Sequence, residues 1–145
     1  MGYKEDIAAA KLQIENVTNE TIIDVTLRIH ATLVSNPPVG TPIDFGWASA
    51  NWFINVGSPT TGNGGQLDAD NPAAVGAREG QQASSVARFV TGYDYTNGQT
   101  VHIGNNVPYI NRLNNGWSDQ APAGFVDDAT QEAVTAINAT GTMKI

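Results

Sequence analysis

The chain has 145 residues, 41% of them hydrophobic, and a formal net charge of −7 with a pI near 4.5. That length suits one domain with a core of its own, and the absence of cysteine excludes disulfides, thiolate catalysis and Cys-ligated zinc. The acidic balance argues against nucleic acid as the main partner, because neutralising phosphates takes clustered Lys and Arg.

From Lys4 to Asn36 there is neither Gly nor Pro. Ile7, Lys11, Ile14, Thr18, Ile22, Val25, Ile29 and Leu33 step by three or four, which predicts one largely apolar face of a long helix spanning residues 1–36. The β-branched run from Val17 to Thr26 lowers local propensity, so a bend or break is expected there. Asn36-Pro37-Pro38 stops the helix. Some 30 helical residues run to about 45 Å, wider than a small domain, so part of the helix should project or be covered by another subunit.

Trp52, Ile54 and Val56 alternate with Asn51, Phe53 and Asn55, which predicts a strand ended by Gly57 and Pro59. Residues 60–80 are rich in Gly, Asn, Asp and Ala without periodicity and read as a mobile loop. Val86, Phe89 and Val90 predict a short helix over 81–91. Asn97-Gly98, between Tyr93/Tyr95 and Val101/Ile103, signals a hairpin, with at least 99–104 a strand. Phe125, Val126, Ala129, Ala133, Val134 and Ile137 share one face of a last helix, with Asp127 and Asp128 suited to its positive end. The expected fold is a single α+β domain: a long N-terminal helix, a small antiparallel sheet and a C-terminal helix.

Reactive groups are few. His30 has no second ligand four residues away and reads as a helical surface or interface residue. His102 should point to the face opposite Val101 and Ile103, and no G-x-S-x-G elbow accompanies it. A hydrolase using His102 with Asp68 or Asp70 is the weaker alternative. Residues 60–66, TTGNGGQ, lack the Lys-Ser/Thr of a phosphate loop. Asp68 to Glu79 has calcium-loop length, but Ala73 stands where that loop needs glycine. No cofactor or metal is therefore expected, and no enzyme activity. The opening MGYKEDIAAAK lacks a secretory layout, and no apolar run reaches the roughly 20 residues of a membrane span. Cytosolic synthesis is expected, with the sequons at Asn16, Asn19 and Asn138 unused.

Only 14% of residues are charged, while Asn, Thr, Gly and Ala abound. Such a neutral polar surface suits contact between subunits. Trp52 is expected in the core. Trp47 and Trp117 flank turn-forming residues and are expected as half-exposed anchors; for Trp117 the alternative is a lid over the last helix. With Tyr109 and Phe125 they form the candidate interface set: Trp47, Tyr109, Trp117 and Phe125.

Two segments carry a family resemblance. The first holds Pro42, Ile43, Asp44, Phe45, Gly46, Ala50, Asn51 and Trp52. The second holds Tyr109, Gly116, Trp117, Ala121, Pro122, Gly124 and Phe125. Together they resemble the small tail-component group of the neck and tail-completion proteins of tailed bacteriophages. That group pairs a P-V-D-T-G-x-x-R-x-x-W segment with a later Tyr, Gly, Ala, Phe segment. Phe45 replaces the Thr of that pattern. The resemblance spans roughly 39–134. It implies a virion protein of the head–tail junction that forms a homo-oligomeric ring, a hexamer or related multiple. Such a tail terminator or completion ring joins the tail tube to the connector and lets DNA pass through its lumen; a head-closure or adaptor ring is the near alternative.

Overall fold

The computed structural model describes residues 2–63 and 71–140. The chain runs α1 (Tyr3–Leu33), a 3-10 turn (Ser49–Asn51), β1 (Phe53–Val56) and α2 (Pro72–Gly92). A second 3-10 turn (Tyr95–Asn97), β2 (Val101–Gly104), α3 (Ile110–Asn114) and α4 (Phe125–Thr140) complete it. The architecture is α+β, with β1 and β2 forming a two-stranded antiparallel sheet.

α1 is one uninterrupted helix, without the expected break. The hydroxyls of Thr18, Thr21 and Thr26 donate to the carbonyls of Ile14, Val17 and Ile22 at 2.7–2.8 Å. The helix thus accommodates its β-branched run by satisfying the competing polar groups internally. The predicted continuous apolar face is used at one end only. Thr26, His30 and Leu33 are buried in the last turns, whereas residues 2–14 are exposed throughout.

The core forms where that end meets the rest of the chain. Leu33, Trp52, Ala121, Phe125 and Ala129 make one cluster, joined by Ile29, Ile103, Ile110 and Leu113. α4 packs along α1 through the predicted face, with Phe125, Ala129, Ala133 and Ile137 buried. Trp52 is tied to α1 by polar bonds as well. Its indole Nε1–H donates to the Thr41 hydroxyl at 2.7 Å, and that hydroxyl donates to the Leu33 carbonyl at 2.7 Å. The Trp52 carbonyl accepts from His30 Nε2 at 2.9 Å. A carbonyl can only accept, so neutral His30 is the Nε2–H tautomer. His30, expected as a helical surface or interface residue, is therefore a joint buried within the chain. Gly40 lies beside this joint, where a Cβ would run into the Ser35 carbonyl.

Two predictions about extended segments are corrected. The loop expected over 60–80 is helix from Pro72 onward. Asn71 caps α2, its side chain accepting from the Ala74 N–H at 3.2 Å, and Pro72 takes the first helical position. Proline there is a start signal, since the N–H it lacks would have no partner anyway. The Asn97-Gly98 hairpin is also absent, and β2 pairs with β1 in the register Ile54 to Ile103 and Val56 to Val101. The groups a hairpin would need are already taken by α1. Asn19 Oδ1 accepts the Tyr95 N–H at 2.9 Å, and Asn19 Nδ2 donates to the Tyr93 carbonyl at 3.3 Å. Gly98 caps the resulting 3-10 turn at φ +68°. α2 covers the free edge of β1, where Ser85 Oγ accepts the Ile54 N–H at 3.2 Å, and so shields the sheet from edge-to-edge pairing.

Replacing Thr41 by Val keeps the shape but strands the Trp52 indole N–H. Urea unfolding should show a loss of about 1–3 kcal/mol; an unchanged midpoint would remove the relay from the account. Burial disfavours the imidazolium and holds His30 below its ordinary value of 6.5, while the bond to Trp52 works the other way. The unfolded chain therefore takes up this proton first. The contribution of neutral His30 is present above pH 6.5 and is lost as pH falls from there toward the folded value. Between about pH 7 and about pH 5, stability should fall in the wild type and fall less in His30→Gln, which keeps a neutral donor. Parallel slopes would show that His30 is not the titrating joint.

Candidate functional site

An open cleft of about 470 Å³ lies between residues 42–48 and the α3–α4 connection. Phe45, Tyr109 and Trp117 provide aromatic walls, with Asp44 on one side and Arg112 on the other. The two segments that carry the family resemblance lie far apart in the chain, with Ile43 and Gln120 separated by 77 positions, and meet here.

A single glutamine joins them. Gln120 Oε1 accepts the Ile43 N–H at 2.7 Å, and Gln120 Nε2 donates to the Ile43 carbonyl at 2.8 Å. Both peptide groups of Ile43 are thus held as a neighbouring strand would hold them. Asn51 Nδ2 donates to the Trp47 carbonyl and Asn105 Nδ2 to the Ala48 carbonyl, each at 2.8 Å. The floor of the cleft rests on a second apolar cluster of Trp47, Ala50, Val75 and Val107.

The other wall is shaped by how α3 ends. Gly116 has φ +86°, the Gly116 N–H donates to the Leu113 carbonyl at 3.2 Å, and the Trp117 N–H donates to the Arg112 carbonyl at 3.1 Å. This is the Schellman stop, in which a left-handed residue closes the helix and the next side chain folds over the last turn. Trp117 accordingly lies against Arg112, whose guanidinium carbon is 5.1 Å from the ring centre. The turn then returns to α4, where Asn114 Oδ1 accepts the Val126 N–H at 3.0 Å and the Asn114 carbonyl accepts the Gly124 N–H at 2.6 Å. Asp127 and Asp128 occupy the first turn of α4, but the side chain meeting an N–H there is that of Asn114.

The four expected interface residues divide cleanly. Trp117 is 72% exposed; it presents its face to solvent and is not a lid over α4. Tyr109 is half-buried in the cleft wall. Burial, and then the negative charge of Asp44, push its hydroxyl above the ordinary value of 10.0. Trp47 is 4% exposed, so the half-exposed anchor expected there is corrected to a core residue. Its indole N–H is buried without a hydrogen-bond partner among the described residues. Phe125 is buried in the main core, behind the cleft rather than in it. Sequence reading missed Phe45, which is large, apolar and 48% exposed. It also missed Gln120 and Arg112, which bear on the site only once the turn is folded.

The cleft offers stacking area, one cation and one anion. Its serine, Ser118, accepts the Gln120 N–H, and neither histidine lines it. His102 sits on β2 opposite Asn55. Asp68 and Asp70, invoked for a hydrolase or a calcium loop, lie outside the described residues; Pro72 to Glu79, the rest of that loop, is helix. Among the described residues no three His, Asp or Glu side chains gather closely enough to hold a metal ion. No described helix is long and apolar enough to cross a membrane. Compared with family models, curated proteins and solved structures, the chain matches none.

Gly116→Ala should destabilise by about 1–2 kcal/mol, the strain of a left-handed alanine, compounded by a Cβ placed 3.2 Å from that of Ala123. Trp117→Ala should stay within about 0.5 kcal/mol of wild type because the ring is mostly solvated. Urea midpoints for both variants check the pair, and a reversed ranking would refute this reading of the turn.

Proposed function

We propose that this chain is a structural subunit of a tailed-bacteriophage virion, a neck or tail-completion protein that assembles into a ring at the head–tail junction. The observation that carries the reading is the convergence of the two resembling segments into one cleft with exposed aromatic walls. A solvated tryptophan stacked on arginine suits protein contact, where Trp, Tyr and Arg dominate binding energy. The N-terminal half of α1 offers further exposed apolar surface at Tyr3, Ile7, Leu12 and Ile14. A net charge of −7 suits a lumen that DNA traverses without adhering, because like charges repel. The surroundings of the cleft favour recognition over chemistry.

Mass spectrometry of purified virions should find the chain at the copy number of a ring. Particles made without it should accumulate as unjoined heads and tails. Absence from virions, or full infectivity without the chain, overturns the reading.

A further inference from the structure

We infer that the exposed N-terminal half of α1 docks into the 42–48/α3 cleft of a second copy, so that subunits join head to tail. This deepens the proposed function and rests on its assembly from copies of one chain.

The donor is a helix face. Tyr3, Ile7, Ala10 and Ile14 are spaced four, three and four residues apart, the anchor pattern by which an amphipathic helix enters an apolar groove. Tyr3 is 72% and Ile7 63% exposed, and Tyr95 borders the open hollow formed by Ile7, Ala10 and Ile14. The acceptor is the aromatic cleft, whose walls likewise face solvent.

Reach excludes docking within one chain. The last turn of α1 is bonded to Thr41 and Trp52, so the cleft that begins at Pro42 lies by the C-terminal end of the helix. Ile7 is 26 residues from Leu33, about 39 Å along the axis. Donor and acceptor thus sit at opposite ends of one rigid rod, and the only available occupant of this kind is another copy.

Charge sets the direction. At 3.6 residues per turn, Lys4 and Lys11 fall on one flank of the apolar stripe and Asp6 on the other. The cleft presents Asp44 on one wall and Arg112 on the other. One orientation of the helix sets lysine against Asp44 and Asp6 against Arg112; the reverse opposes like charges. A contact of this kind is heterologous, and when its rotation closes it generates a ring.

The test uses the absence of cysteine. Ile7→Cys/Ser118→Cys carries one thiol on the donor and one on the cleft rim. On mild oxidation it should yield a ladder of covalent multimers, while each single variant stops at dimers. In parallel, Ile7→Asp should weaken self-association of the full chain by about 30-fold or more, the loss of one interface anchor, with its helical circular dichroism unchanged. No ladder from the double variant, or undiminished association of Ile7→Asp, overturns this docking. A wild-type chain that stays monomeric across a concentration series overturns it as well. A chain present in virions without forming the ladder sinks the docking alone. A ladder from a chain absent from virions sinks the virion reading alone.

Discussion

Trp52 is gripped at both ends by the last turns of α1. Its indole reaches the Leu33 carbonyl through Thr41, and its own carbonyl accepts a hydrogen bond from His30 Nε2–H. Each bond contributes only about 1 kcal/mol net, but each would leave a buried polar group unsatisfied if broken, at greater cost. The grip therefore selects one arrangement over its neighbours more than it adds to the total. With Trp52 fixed, β1 must start beside the end of α1, β2 has an edge to pair with, and Phe125 has a surface on which to seat α4. The loop from 34 to 48 is drawn tight between two held points, and one wall of the cleft is the outer side of that loop.

The elements legible in the sequence were those whose signal is local. A long stretch free of Gly and Pro marked α1, period-two alternation marked β1, and a clean apolar face marked α4. Errors arose where a distant side chain decided the outcome. Asn97-Gly98 is a sound hairpin signal by itself, yet Asn19 on α1 already occupies the backbone groups of Tyr93 and Tyr95. The start of α2 was hidden by the Gly, Asn, Asp and Ala around it, although Asn71 followed by Pro72 is a helix-start pair. Half of the cleft was legible. Trp117 in a Gly-rich turn pointed to an exposed aromatic, and Gly116 was there to mark the helix stop. Trp47 gave no sign that Val75 and Val107, from elements remote in sequence, would bury it.

The long helix looks excessive only within one subunit. Its C-terminal end belongs to the core, while its N-terminal end is a solvated rod carrying an i,i+4 ion pair, Lys11 with Glu15. A rod of that kind presents an apolar stripe at little further entropic cost on association, because its backbone is already ordered.

The amides that knit the loops have a consequence of their own. Asn19, Asn105, Asn114 and Gln120 join separate segments by hydrogen bonds to peptide groups. None of these side chains titrates, and none depends on an attraction that dissolved ions would screen. The joints that shape the cleft should thus hold their geometry from dilute buffer to concentrated brine, leaving His30 as the one hydrogen-bonded joint described here that acid can loosen.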